Sequence, residues 1–310
     1  MIENMILVCQ NVLLLMWMIG VGMVLARKGW LSENTQNEMS KLMLTVVMPC
    51  QIITSMPKER SAEVLEKFAA AGLALLAAYL FAIVVGHFFF RKQKEDTRVV
   101  LQYALIYGNH GFMGLPLVQS VFGEEAVIYA AISIVLFNIF SWTHGIALMG
   151  KTGKKLSKKA IINPGTVGFS IGLFLFLSGL TLPMSVGGAV KSLGSMFTPL
   201  AMVLVGAQMS RVDPLTVLKD WRLYVVSLMK LLVLPGILML ALYPFRPDPI
   251  LYTSVVVLFA CPTAALVSTF VQMYQRDTEM AAKTVLQSTL LSVVTLPLMV
   301  MLTQLLISLG

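Results

Sequence analysis

Long apolar stretches separated by short charged segments make up most of this chain. Ten of them lie near residues 5–26, 40–57, 67–90, 98–122, 125–149, 163–180, 194–210, 221–244, 249–274 and 280–308. About 20 apolar residues are enough for a helix to cross a bilayer, so each stretch predicts a membrane span. The pattern therefore predicts an all-α membrane protein with ten transmembrane helices.

The composition agrees with this interpretation. Hydrophobic residues make up 57% of the chain and charged residues 12%, whereas about a quarter of the residues are charged in soluble domains. Glu3 precedes the first stretch, and Arg27 and Lys28 follow it, whereas a signal peptide begins with positive charge. We expect this stretch to be retained as the first span.

The basic residues are distributed unevenly between the two sides of the predicted membrane protein. With the N-terminus outside, 17 of the 23 Lys and Arg residues fall in inner connections, 5 fall outside, and Lys230 lies within a span. Cytoplasmic connections are enriched in Lys and Arg, so both termini are predicted to lie outside the cell membrane. The net charge of +8 then faces anionic lipid, and we expect no nucleic-acid partner.

A basic segment at residues 151–162 divides the chain into residues 1–150 and 163–310, with five stretches in each half. An offset of about 150 residues relates the Asn109 region in the fourth stretch to Cys261-Pro262-Thr263 in the ninth. Because five is odd, the halves should have opposite orientations. Inverted repeats with interrupted helices are typical of secondary transporters. We predict two inverted five-helix repeats whose helices 4 and 9 are broken and cross.

The fourth and ninth stretches contain residues that disfavour a continuous helix. These are Gly108, Gly114 and Pro116 in the fourth and Pro262 in the ninth. Glycine weakens a helix and proline removes a hydrogen bond, and in lipid the freed backbone groups need partners. We expect Asn109 and Thr263 to cap the half-helices that resume. Two helix N-termini would favour an anion, although a proline kink that only packs is the alternative.

The predicted substrate contacts cluster at these breaks. They are Asn109, His110, Gly111, Gln51, Cys261, Pro262, Thr263 and Lys230. Lys230 lies about 13 Å along the eighth span, where it attracts a carboxylate, replaces a coupling cation, or reaches towards the cytoplasmic face. His110 lines the site, takes part in proton coupling, or only satisfies a freed carbonyl. The amides of Asn138, Gln208 and Gln287 bind substrate or tie helices together.

Motifs of other function classes are absent or lie in an unsuitable setting. The sequence contains no His-Glu-x-x-His pattern. Residues 168–172 match Gly-x-Ser-x-Gly and residues 145–152 match the ATP-binding Gly-x-x-x-x-Gly-Lys-Ser/Thr pattern, but both matches lie in or at the end of predicted membrane spans and not between a strand and a helix, where these motifs act. The cysteines Cys9, Cys50 and Cys261 are scattered without metal-ligand spacing. We therefore expect neither an enzyme nor a cofactor or metal. A channel or a non-transporting receptor on the same scaffold remains an alternative to a carrier.

Several motifs resemble the auxin efflux carrier family. They are N-x-G-F-x-G-x-P at 109–116, Cys-Pro-Thr-Ala at 261–264, Thr-Leu-Leu-Ser-Val-Val-Thr-Leu-Pro at 289–297 and Val205-Gly206-Ala207. The resemblance covers essentially the whole chain. It implies a scaffold part and a transport part that contains the crossed breaks of helices 4 and 9. Members of this family export auxin in plants, and bacterial relatives include candidate malate and malonate permeases.

The chain departs from the plant exporters in its central segment, which is short here and often long and regulatory there. It is more similar to the bacterial branch, so we expect a small organic anion, such as a mono- or dicarboxylate, as the exported substrate. A sodium- or proton-coupled uptake symporter is the alternative. A second copy of the chain is a candidate partner through Gly168 and Gly172, although the same spacing suits packing within one chain.

Overall fold

A computed structural model describes residues 2–54, 56, 61–150, 164–210 and 214–309. These residues form helices and no strand, so the prediction of an all-α protein is confirmed. The basic segment 151–162 lies outside the described residues.

The helices of the first half are α1 Ile2–Arg27, α2 Glu33–Leu42, α3 Met48–Thr54, α4 Ala62–Phe88, α5 Glu95–Ile106, α6 Leu115–Phe122, α7 Val127–Phe140 and α8 Ile146–Met149. Those of the second half are α9 Pro164–Ser178, α10 Met184–Ser195, α11 Phe197–Met209, α12 Pro214–Lys219, α13 Trp221–Leu228, α14 Leu234–Leu242, α15 Pro249–Phe259, α16 Leu266–Tyr274 and α17 Thr278–Leu309. In the described part of the chain, four π-helical turns lie between these helices, at Met43–Val47, His110–Gly114, Ser141–Gly145 and Met229–Val233.

Within the described residues, five helical segments are long and apolar enough to cross a membrane. They are Leu65–Phe88, Val127–Met149, Met184–Ala207, Trp221–Phe245 and Thr278–Leu309. Shorter apolar helices are Leu13–Arg27, Val167–Ser178 and Pro249–Phe259. The chain is thus a multi-pass membrane protein. The fourth and ninth predicted stretches are each divided into two helices, which is why they are not found among the long segments.

The seventh predicted stretch begins earlier than its hydropathy suggests. We expected it to start near residue 194, but α10 begins at Met184. Its residues include Gly187, Gly188 and Lys191, which weaken both the helix signal and the apolar signal. Packing supplies what local propensity lacks, because a Cβ added at Gly194 would lie 3.1 Å from the Gln51 Cα atom on α3.

Two pairs of helices pack with their backbones in close contact. A Cβ added at Gly22 on α1 would lie 2.0 Å from the carbonyl oxygen of Val203 on α11. A Cβ added at Gly206 on α11 would lie 1.9 Å from the carbonyl oxygen of Ile19 on α1. A Cβ at Gly168 on α9 would lie 2.6 Å from the Pro49 Cα atom on α3. Small residues permit such close approach. The Gly168 face is therefore occupied by helix α3 of the same chain.

Candidate functional site

The two broken stretches meet at their breaks. Helix α5 ends at Ile106, and helix α15 ends at Phe259. The Asn109 N–H donates to the Pro262 carbonyl at 2.7 Å, and the Ala264 N–H donates to the Tyr107 carbonyl at 3.0 Å. These bonds flank an antiparallel bridge between Gly108 and Thr263. Each break thus satisfies backbone groups that the other has freed, as an apolar surrounding demands.

Side chains complete the crossing in two different ways. The Asn109 Oδ1 atom accepts a hydrogen bond from the Phe112 N–H at 3.1 Å, so the predicted cap on the first resumed helix is confirmed. The prediction for Thr263 is wrong, because its hydroxyl donates to the Ala104 carbonyl at 3.2 Å and α16 begins only at Leu266. Thr263 therefore satisfies a carbonyl near the end of α5 instead of a free N–H.

His110 is fully buried within the first resumed segment. Its Nε2 atom lies 3.2 Å from the Tyr79 hydroxyl, and its Nδ1 atom is hydrogen-bonded to the Ser133 hydroxyl. The rings of Tyr79 and His110 are also stacked, with centroids 5.7 Å apart. Both ring nitrogens thus have partners on α4 and α7, and these contacts fix the orientation of the imidazole.

Lys230 lies in the π-helical turn Met229–Val233 and is fully buried. Its Nζ atom donates to the Ile106 carbonyl at 3.2 Å. It also lies 4.8 Å from the centroid of the Phe259 ring, a distance that suits a cation–π contact. Lys230 therefore reaches the last residue of α5 and the last residue of α15.

A cavity that is partly open to the outside of the protein lies beside the crossing, and its volume, including that open space, is about 730 Å³. One wall comes from the second and seventh stretches: Ser40, Met43, Leu44, Met48, Phe197, Ala201, Leu204 and Val205. The opposite wall comes from the two breaks and the fifth stretch: Asn109, Gly111, Phe112, Ile134, Phe137, Asn138, Trp142, Ala264, Ala265 and Leu266. None of these described residues is charged.

Several hydrogen-bond donors on this opposite wall have no acceptor among the described residues. Three are backbone N–H groups, those of Gly111, Ala265 and Leu266, which belong to the first turns of the resumed helices, where N–H groups lack intrahelical partners. The Asn109 amide uses its oxygen for the cap and leaves its two N–H groups unpaired. The Asn138 side chain is 3% exposed and makes no hydrogen bond within the described chain.

A second polar cluster lies at the end of α16. The Arg276 guanidinium contacts Asp96 at 2.5 Å and Glu95 at 2.9 Å, and its Nε atom donates to the Met149 carbonyl at 2.8 Å. Burial lowers the pKa of Arg276, but the hydrogen bonds and the charge attraction of the two carboxylates together outweigh it, so the net direction is upward. This cluster joins the start of α5, the end of α8 and the end of α16.

Comparison with known proteins gives the family. The chain matches the family described as membrane transport protein over residues 7–158 and 151–300, which together cover nearly all of the chain. The chain belongs to this auxin efflux carrier-like transport family. It is therefore a membrane transporter and not an enzyme.

Individual transporters show modest identity to this family member. An "Uncharacterized transporter" of Methanothermobacter thermautotrophicus is 22% identical over 295 residues, which cover 93% of this chain and 96% of that protein. A "Putative malonate transporter" of Rhizobium meliloti is 28% identical over 228 residues, covering 70% of this chain and 71% of that protein. Both similarities agree with a transporter of small molecules.

The structure places the predicted contacts of this transporter on two sides of the crossing. Asn109 and Gly111 line the cavity. His110, Cys261, Pro262, Thr263 and Lys230 are buried within the crossing or behind it and are not among the lining residues. Gln51 lies on α3 beside Gly194 and is also outside the cavity wall.

The four residues expected to break the helix also separate into two sets. Gly108 and Pro262 lie in the non-helical segments themselves. Gly114 and Pro116 lie where the helix has already resumed, because the π-helical turn His110–Gly114 runs directly into α6, and Pro116 is the second residue of α6. At Gly114 an added Cβ would lie 2.8 Å from the Leu258 Cδ2 atom, so this glycine permits close packing of the two crossing segments.

Sequence reasoning gave too little weight to Asn138 and missed the apolar wall of the cavity. Asn138 was one of several amides, and no local motif separates an amide that binds a ligand from one that ties two helices together. The deciding observation is that the Asn138 amide has no hydrogen-bond partner among the described residues, and this follows only from the three-dimensional packing. The apolar wall looks like any membrane helix in a single sequence.

Proposed function

We propose that this membrane transporter is a secondary carrier that moves a small organic anion, a mono- or dicarboxylate, across the cell membrane. The substrate carboxylate binds the unpaired donors of Asn109, Gly111, Asn138, Ala265 and Leu266, and the remainder of the substrate packs against Phe112 and Phe197. Alternating access follows from movement of the crossed segments against the wall formed by the second and seventh stretches.

The observation that carries this proposal is the set of donors in an uncharged cavity. Five described residues of the wall offer N–H groups, and no described lining residue has a carboxylate that would repel an anion. Helix N-termini carry a partial positive charge of about half a unit, and two helices begin at this wall. The site therefore favours an anion without an arginine. Malonate, which names one relative, is an anion of this class.

The proposed architecture is ten spans in two inverted repeats, residues 1–150 and 163–310, with both termini outside. An antiparallel bridge has a local two-fold axis, so the pairing of Gly108 with Thr263 supports inverted halves that meet there. The 17 inner basic residues against 5 outer ones support the orientation. A cell interior that is negative by 100 mV favours the export of an anion by about 2.3 kcal/mol per charge.

Thermal stability of the purified protein tests the proposal. We expect malonate, other dicarboxylates or monocarboxylates to raise the unfolding temperature in a saturable way, because a ligand at 100 times its dissociation constant stabilises the native state by about 2.7 kcal/mol. The neutral amides of the same acids should have no effect. A response to neutral or cationic compounds alone would contradict an anion site.

The variant Asn138→Leu separates binding from folding. Leucine has a similar volume and removes a buried polar group that has no partner, so the stability of the unliganded protein should be unchanged or slightly higher. The apparent affinity for the acid, measured from the concentration dependence of the unfolding temperature, should fall by at least about tenfold, because a hydrogen bond to a charged ligand group is lost. If Asn138 instead tied helices together, the unliganded variant would be less stable.

A further inference from the structure

The Lys230 side chain is fully buried and has no carboxylate partner among the described residues. Its only hydrogen bond within that part of the chain is to the Ile106 carbonyl, which leaves two of its three N–H groups without an acceptor. A charged group within a membrane span is costly and is therefore expected to have a function. The π-helical turn that carries Lys230 supports this expectation, because such turns are frequent at functional sites.

The position of the ammonium group identifies what it interacts with. Ile106 is the last residue of α5 and Phe259 is the last residue of α15, and the Nζ atom contacts the carbonyl of the first and the ring of the second. Helix C-termini carry a partial negative charge. Lys230 thus lies at the C-terminal ends of α5 and α15, the helices before the two breaks. The cavity lies at the N-terminal ends of the helical segments that follow the two breaks.

Two other roles for Lys230 do not fit these contacts. A lysine that reaches the membrane surface would expose its ammonium group, but Lys230 has no exposed surface. A lysine that binds the substrate would line the cavity, but Lys230 is not among the lining residues. The side chain instead points to the carbonyl end of the crossing.

We propose that the Lys230 ammonium is a built-in counter-cation that occupies the position of a coupling cation. In transporters with broken helices, half-helix C-termini and unwound carbonyls coordinate sodium or a proton. Here a tethered ammonium group fills that space, so substrate binding requires no sodium. Removing the side chain then opens a site for a small monovalent cation. This inference is independent of which anion is carried, and it is tested without any organic anion.

The experiment compares unfolding temperatures of wild-type protein and Lys230→Ala in sodium chloride, potassium chloride and choline chloride at equal ionic strength. We expect the wild type to show no difference between these salts. In choline chloride, Lys230→Ala should be less stable than the wild type. Sodium should raise the unfolding temperature of this variant saturably by at least about 2 °C. Choline is too large to enter the space left by a lysine side chain.

Lys230→Met is the matched control. Methionine fills most of the same volume without charge, so the variant should be destabilised and show no sodium response. Lys230→Ser replaces Lys230→Ala if the latter does not fold, since its hydroxyl adds a cation ligand. A saturable sodium effect on the wild type, or the absence of any cation-specific effect on both small variants, would overturn the proposal. If neither small variant folds, the wild-type salt comparison alone decides.

Discussion

Asn109 combines two roles in one side chain. Its oxygen caps the resumed helix through the Phe112 N–H, and its unpaired N–H groups belong to the cavity wall. Because a serine hydroxyl also caps helices well, Asn109→Ser should keep the stability within about 0.5 kcal/mol, whereas Asn109→Ala should lose about 0.5–2 kcal/mol. Both variants lack the amide donor and should lose acid-induced stabilisation. Chemical denaturation with and without a stabilising acid measures both effects.

The two roles are independent in this prediction. Full acid binding by Asn109→Ser would show that the amide donor is unnecessary and that backbone N–H groups alone hold the anion. Equal stability of the serine and alanine variants would show that the cap contributes nothing to folding.

At the residue scale, sequence predicts what is local and misses what is distant. The cap at Asn109 follows from a polar residue just before a helix restart, three positions from its donor. The hydrogen-bond partner of Thr263 does not follow from local sequence, because Ala104 is 159 residues away and only the crossing of the two stretches brings it near. Lys230 was predicted to be deep in a span, but the Ile106 carbonyl that it contacts is 124 residues distant.

At the element scale, α1 and α11 form the tightest contact, and glycines on both helices make it possible. A Cβ at Gly22 would lie 2.0 Å from a backbone oxygen that has no room to move, whereas a Cβ at Gly20 would meet nothing within 4 Å. Gly22→Ala should therefore be destabilised by at least about 1–3 kcal/mol through overpacking. Gly20→Ala, two residues away on the same helix, should be neutral or slightly stabilising. Similar unfolding midpoints for the two variants would contradict the backbone contact.

The prediction of elements succeeded where apolar stretches were bounded by charges and was less accurate where helices were interrupted. The division of the fourth and ninth stretches follows from glycine, proline and the polar residues beside them. The early start of α10 does not follow from its local residues, because its glycines and Lys191 suggest a loop. This helix depends on packing against α3. Tertiary contact decides such cases over local propensity.

At the scale of the whole molecule, the proposed alternating access requires the crossed segments to move against the second and seventh stretches. Gly111 lies on one side of that boundary and Phe197 on the other, and a Cβ at Gly111 would lie 3.4 Å from the Phe197 ring. In a background without Cys9, Cys50 and Cys261, we therefore expect a short bifunctional methanethiosulfonate to link Gly111→Cys with Phe197→Cys. The link should abolish anion flux in proteoliposomes, and reduction should restore it.

Each single cysteine variant treated with the same reagent is the control, since modification alone narrows the cavity without joining its walls. These variants should lose part of their flux and keep the remainder. Flux that persists after complete linkage would contradict a moving boundary between these segments and would favour a fixed pore. The Arg276 cluster supports the moving alternative, because it joins the start of α5, the end of α8 and the end of α16. In the proposed carrier, the crossed segments then shift together, and the cavity opens to each side in turn.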